Sequence, residues 1–268
     1  LHDHHHHHHH HHHHGGLLGN SSDRQPILTT ILTTPAVILT ARLTTHTTIL
    51  TAVHKTWELR QHAQGDASRG DTISSLSLFL ISSAYLIGSL SFGIIVSKFL
   101  NLSDPRTIGS KNPGATNVLR AGNKLAAILT LVGDIFKATI VVKIAIFIGL
   151  NDLETMQVCL AVLIGHTYPI YYRFKGGKGV ATALGILLAI NWILALSAIC
   201  IWLIIFSIWR YSSVAAIIAS LCVSIFSYFL NETSYILLTN IFITSLIIFN
   251  HRTNIRNLIK GIEPGFKK

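Results

Sequence analysis

Three polar segments interrupt a largely apolar sequence, and their residues are of the types that bind and act on phosphorylated groups. Residues 173–182 read RFKGGKGVAT. Gly176, Gly177, Lys178 and Gly179 combine bare backbone, which lets N–H groups approach an anion, with a cation. A helix starting after them would add the positive end of its dipole. The spacing matches neither GxxxxGK[ST] nor GxGxxG, so a small phosphate compound is expected rather than ATP or a dinucleotide. Residues 108–120, IGSKNPGATNVLR, supply Ser110, Asn112 and Asn117 as hydroxyl and amide groups and Arg120 as a forked cation. Residues 250–266, NHRTNIRNLIKGIEPGF, place His251 and Asn254 three apart, on one face if the helix continues. Glu263 is the only acid of this tail and is expected to pair with Arg252, Arg256 or Lys260. His166 and the pair Asp134–Lys137 sit inside apolar runs, where an ionisable side chain is either paired or functional.

The elements that must position these groups are membrane helices. The chain of 268 residues is 50% hydrophobic and only 12% charged, about half the charge of an ordinary soluble domain. Apolar runs at Leu76–Lys98, Leu125–Leu150, Met156–Tyr172, Ser212–Leu230 and Ser234–Asn250 read as spans. Gly179–Trp209 fits one long helix or two short ones turning near Asn191-Trp192. Charge decides between them. If it is two spans, Arg106, Lys111, Arg120, Lys124, Arg173–Lys178, Arg210 and the basic tail all fall inside. Asp152, Glu154 and Glu232 then fall outside. The expectation is therefore an all-α integral membrane protein, a bundle of seven transmembrane helices with its N-terminus outside and its C-terminus in the cytoplasm. All three polar segments share the cytoplasmic face.

The net charge of +10 follows this topology and an anionic substrate. No basic face with interleaved aromatics appears, so nucleic acid is not expected as a partner. Cys159, Cys200 and Cys222 have neither metal-ligand nor disulfide spacing and are expected to be buried thiols. Trp192, Trp202 and Trp209 read as interfacial or packing aromatics. His4–His14 is an unbroken run of eleven histidines, so residues 1–16 read as tag-like. Residues 17–75 are a low-complexity leader in which eleven of the thirty residues 27–56 are Thr. Both stretches are expected to lie outside the working domain, residues 76–268.

GSKNPGATNVLR, GHTYPIYYRFKGGKGVAT and HRTNIRNLIKGIE, in this order, resemble the three signature segments of the bacterial acyl-phosphate:glycerol-3-phosphate acyltransferases, membrane enzymes of phospholipid synthesis. The resemblance runs from about Leu76 to the C-terminus. Lys111, Ala138 and Asn257 stand where Gly, Gly and Arg are common. It implies acyl transfer from acyl phosphate to glycerol 3-phosphate, giving lysophosphatidate and phosphate at the inner membrane. No metal or cofactor is implied. Membrane lipids surround the enzyme, and an acyl-phosphate-forming enzyme would act upstream.

Ser110, Arg120, His251 and Asn254 are then the expected catalytic groups. Asn112, Asn117, His166 and Gly176–Gly179 are the expected substrate-binding groups, and Glu263 is structural. The proton of the attacking hydroxyl goes to His251 or to the substrate's own phosphate. Ser110 as a covalent nucleophile lacks a neighbouring acid–base partner in the sequence. A transporter of organic phosphates would need access from both faces, whereas all the polar segments share one. A CoA- or carrier-protein-dependent enzyme would call for a wider basic docking surface than these loops offer.

Overall fold

The computed structural model describes residues 67–267, with side chains from residue 75 onward. The histidine run and most of the low-complexity leader lie outside the described residues. The chain divides into two units, Leu1–Ala67 and Ser68–Lys268, and the second carries everything that follows. Among the described residues it is helical throughout: α1 (Ala67–Gly88), α2 (Phe92–Phe99), α3 (Ala115–Arg120), α4 (Lys124–Ile148), α5 (Asp152–Thr167), α6 (Val180–Ile190), α7 (Trp192–Trp209), α8 (Ser212–Phe229), α9 (Ser234–Asn250) and α10 (Arg252–Ile259). Helix α1 starts nine residues ahead of the expected Leu76.

Local chemistry sets the boundaries. Asn123 caps α4 by accepting from Ala126 N at 2.8 Å, and Gly149 ends it in the left-handed conformation. Asn151 and Glu154 form a capping box at the start of α5, with both bonds at 2.9 Å. The stretch Gly179–Trp209 is two helices. Asn191 leaves the helical region at φ −157°, and its Oδ1 takes Ile193 N and Leu194 N at 3.0 and 3.2 Å. Its Nδ2 donates to Glu232 Oε1 at 2.6 Å. The α6–α7 and α8–α9 turns therefore lie at the same end of the bundle.

Two expected spans are shorter or bent. Met156–Tyr172 is helical only to Thr167 and passes through Pro169 into a 3-10 turn at Ile170–Tyr172. Leu76–Lys98 is broken: α1 and α2 meet at 47°. The cause lies in α4. Lys137 Nζ donates to the carbonyls of Gly88 and Leu90 at 2.9 and 2.6 Å, which frees both from helical bonding. Lys137 also pairs with Asp134 Oδ1 at 2.8 Å, as expected from their spacing, with both side chains buried.

Helix α4 is central and packs against α2, α3, α5 and α6; α8 packs on α7 and α9, and α9 returns to α5. Small residues allow the closest crossings. A Cβ at Gly185 of α6 would collide with the Ile135 carbonyl of α4, and one at Gly165 of α5 with the Tyr85 carbonyl of α1. Val142, Val158, Val162, Leu163 and Ile186 fill the space between these helices. The outer faces are apolar too, with Phe79, Phe136, Phe147 and Ile204 exposed. Helices α4, α7 and α8 are each long and apolar enough to cross a membrane, and five spans result if the bent pairs α1–α2 and α9–α10 count as one each. Of the cysteines only Cys159 is buried. Cys200 is exposed on α7 and Cys222 is half-buried, because an apolar run in a bundle also supplies the lipid-facing side.

Removing one partner of a buried pair strands the other charge. Lys137→Met is expected to destabilise the protein by about 3–5 kcal/mol, read from denaturant titration of the detergent-solubilised protein. Asp134→Asn combined with Lys137→Met should recover more than half of that loss.

Candidate active site

The loop before α3 is held by Asn117. Its Oδ1 accepts from Ser110 N at 3.0 Å, and its Nδ2 donates to the carbonyls of Pro105 and Ile108 at 2.8 and 3.1 Å. Gly109, at φ +52°, passes so close that a Cβ would strike Asn117 Oδ1. Asn117 was expected to bind substrate. It lines the same cavity as Ser110 and Asn112, with three of its four hydrogen-bonding positions spent on shaping the loop. Arg120, at the end of α3, donates to Pro264 O at 2.7 Å and lies 5.0 Å from the Phe266 ring centroid. Its Nε is buried and without a hydrogen-bond partner among the described residues.

The glycine stretch works differently from its sequence reading. Gly176 N donates to Thr167 O and Gly177 N to His166 O, both at 3.1 Å. These two N–H groups are therefore not offered to an anion, and neither glycine lines the cavity. Glycine is required there because a Cβ would strike the His166 carbonyl from Gly176 and the His166 ring from Gly177. The cavity lining begins at the next residue. Lys178, Gly179, Val180 and Ala181 line the cavity, and the first N–H groups of α6 have no intrahelical acceptor. Gly179 turns the chain into α6 at φ +90°.

The last segment closes the site. The chain bends by 55° between α9 and α10, so His251 and Asn254 do not lie on one continuous helix; both nevertheless line the cavity. Lys178 Nζ donates to Asn254 Oδ1 at 2.5 Å, and Asn254 Nδ2 donates to Glu263 Oε1 at 2.7 Å. The same Glu263 oxygen accepts from Ser213 Oγ at 2.8 Å. Glu263 thus pairs with these two neutral groups rather than with Arg252, Arg256 or Lys260. Its buried carboxylate orients the asparagine that holds Lys178. His251 is 3% exposed and its Nδ1 lies 2.7 Å from Ile247 O. A carbonyl only accepts, so Nδ1 carries the hydrogen and Nε2 keeps a free lone pair.

One cavity of about 460 Å³ joins these groups. Its polar end has Ser110, Asn112, Arg120, Lys178, His251 and Asn254; its apolar length runs between α4, α6, α7, α8 and α9, past Leu131, Leu184, Trp202, Ala216 and Ile247. His166 also reaches it, with Nδ1 3.0 Å from Lys137 Nζ. Burial, the largest cause, pulls the Lys178 ammonium down to about 8; Glu263 opposes the shift and Arg120 adds to it. Burial and then the Lys178 charge push His251, just past the end of α9, down to about 4. Its imidazole is therefore neutral at neutral pH.

Comparison with known proteins identifies the family. Residues 78–261 match the family described as glycerol-3-phosphate acyltransferase. The chain belongs to that family. A glycerol-3-phosphate acyltransferase of Methylobacillus flagellatus is 50% identical over 194 residues, 72% of this chain and 97% of the relative. One of Paraburkholderia phymatum is 50% identical over 184 residues, 67% and 88% respectively. Two crystal structures of PlsY (YgiH), an integral membrane glycerol 3-phosphate acyltransferase, resemble the fold. The glycerol 3-phosphate form has a TM-score of 0.69 at 40% identity, covering 71% of this chain and 96% of that one. The lysophosphatidic acid form has a TM-score of 0.67 at 39% identity, covering 71% and 95%. The chain is a membrane acyltransferase.

Sequence reasoning missed two residues of the site. Ser213 bonds Glu263 and Trp202 forms part of the apolar wall. Neither carried a local signal: Ser213 looks like a helix start, and Trp202 like any aromatic of an apolar helix.

An ammonium at Lys178 can hold an anion only while it is protonated. Above pH 7 a phosphate monoester is close to dianionic, its second pKa being ~6, so the lysine alone sets the alkaline limb. The KM for glycerol 3-phosphate should climb as pH rises through 8, approaching roughly tenfold per pH unit. Lys178→Arg should flatten that climb, since guanidinium stays charged. Initial rates from pH 7 to 9.5 decide.

Proposed function

We propose that the chain transfers a fatty acyl group from acyl phosphate to the sn-1 hydroxyl of glycerol 3-phosphate, releasing lysophosphatidate and inorganic phosphate, an early step of phospholipid synthesis. The observation that carries the reading is a single cavity with phosphate-binding groups at one end and an apolar length behind them. Lys178, Gly179 and the opening turn of α6 hold the phosphate of glycerol 3-phosphate. Gly176 and Gly177 place that turn by packing on His166. Ser110, Asn112 and Arg120 hold the phosphate of the donor.

His251 Nε2 takes the proton of the attacking hydroxyl. The hydroxyl oxygen bonds to the acyl carbonyl carbon, the carbon–oxygen bond to phosphate breaks, and phosphate leaves with the electron pair. Asn254 steadies Lys178 through Oδ1, and its Nδ2 gives one of its two hydrogens to Glu263. The second hydrogen, Arg120 and the backbone N–H groups of the α6 turn are the donors for the oxyanion.

The same reading places the working domain at residues 76–268 and seven helices across the bacterial inner membrane, the N-terminus outside and the C-terminus cytoplasmic. The spans are α1–α2, α4, α5, α6, α7, α8 and α9. Supporting it are the shared end of the α6–α7 and α8–α9 turns and the basic residues at the opposite end.

Purified protein supplied with radiolabelled glycerol 3-phosphate should form lysophosphatidate from palmitoyl phosphate and not from palmitoyl-CoA; product from the thioester alone would overturn the donor. His251→Gln should cut kcat by about 100- to 10,000-fold with KM little changed. A loss below tenfold would assign the proton to the substrate's own phosphate.

A further inference from the structure

The far end of the cavity carries a polar group that acyl transfer does not use. His251, Ile247, Thr244, Ile243 and Asn240 line it in succession along α9. At ~1.5 Å per helical residue, the wall from residue 251 to 240 runs about 16 Å. On α8 the wall from Ser212 to Val223 covers the same length. Asn240 at its end is 2% exposed. Its Nδ2 donates to Ser227 Oγ at 2.5 Å. The Ser227 hydroxyl hydrogen is itself given to Val223 O at 2.9 Å, so Ser227 accepts from Asn240 and the amide has one orientation. That leaves Asn240 Oδ1 buried and without a hydrogen-bond partner among the described residues. The hydroxyls nearby are satisfied: Thr244 donates to Ser220 O and meets Ser224 Oγ, each at 2.9 Å.

We propose that Asn240 is the far stop of the acyl channel and sets the longest chain the enzyme accepts without penalty. This rests on the reading that the acyl chain lies in this cavity with its carbonyl near Lys178 and His251. Asn240 Oδ1 is already shut off from water by the protein itself, so the stop is one of space: on α8 and α9 the cavity wall ends at Val223 and Asn240. An extended chain advances about 1.2 Å per bond, as a peptide does over its three bonds per residue. Some 13 bonds then fill the length, so chains of up to roughly fourteen carbons stop short of Asn240. Longer ones must press on it or fold back.

The test is kcat/KM for acyl phosphates with saturated chains from ten to eighteen carbons, in the wild type, Asn240→Ala and Val223→Phe. Asn240→Ala should raise the ratio of eighteen-carbon to ten-carbon kcat/KM by roughly tenfold, the order of two further buried methylenes. Val223→Phe, on the facing wall, should move the fall in kcat/KM to shorter chains and covers the case in which Asn240→Ala does not fold. If acyl phosphates give no product and CoA esters do, the donor reading falls and the same series is read on the thioesters. A chain-length profile that neither substitution moves, on the donor that turns over, overturns the stop.

Discussion

The Lys137 ammonium organises this structure. It has three hydrogens and lies within 3.0 Å of Gly88 O, Leu90 O, Asp134 Oδ1 and His166 Nδ1. Buried at this depth, a cation persists only where its neighbours replace water. Those neighbours come from the α1–α2 bend, α4 and α5, so satisfying one charge fixes three elements at once. Because the ammonium only donates, His166 Nδ1 presents its lone pair and Nε2 carries the hydrogen. The ring's other side then lies against Gly177, where any side chain would collide with it. The placement of Lys178 therefore depends on a charge on another helix, one layer deeper in the bundle.

A second constraint acts at the polar end. A cation meant to receive a phosphate cannot be neutralised by a carboxylate beforehand, or the incoming anion must displace an equal charge. The structure separates the two. Glu263 stops at Asn254 and Ser213, and Lys178 Nζ reaches, among the described residues, the amide oxygen of Asn254. The carboxylate raises the tendency of Lys178 to stay protonated from a distance, against burial and Arg120. A neutral amide between acid and base holds the lysine in place while leaving its charge for a ligand.

Much of this was legible in the residues. The three polar segments do converge on one cavity, because charged and amide-rich stretches between apolar helices collect at a common end. The helix break at Asn191 was readable from the charge pattern, and the structure adds the Asn191–Glu232 bond that joins the turns. What could not be read was the division of labour within a motif. Gly176 and Gly179 look alike in sequence, yet one is needed because His166 lies against it and the other because the backbone turns at positive φ. Asn117 and Asn112 look equally available, yet only the structure shows that Asn117 already has three hydrogen bonds to the loop it shapes. Glu263 was readable as structural but not in its partner, since Ser213 lies fifty residues away. The bend between α1 and α2 falls at the Gly88–Ser89 pair, but the group that holds its carbonyls, Lys137, sits in α4.

The segment after α10 shows why the site needs residues beyond the last span. Arg120 holds Pro264 O, the Arg210 carbonyl takes Phe266 N at 3.0 Å, and Arg210 donates to Lys267 O at 2.8 Å. These arginines end α3 and follow α7, so the tail is tied to two separate parts of the bundle through its backbone and needs few particular side chains. Glu263 is the exception, and it is the one placed to act on Lys178. A backbone strap fixes the position of a single carboxylate, and that carboxylate tunes the cation. The cavity behind it is mainly apolar along α8 and α9, with the Thr244 hydroxyl satisfied by Ser220 O and Ser224 Oγ. Confining the polar groups to one end lets a phosphate and a hydrocarbon chain occupy one continuous space without either being buried in the other's surroundings.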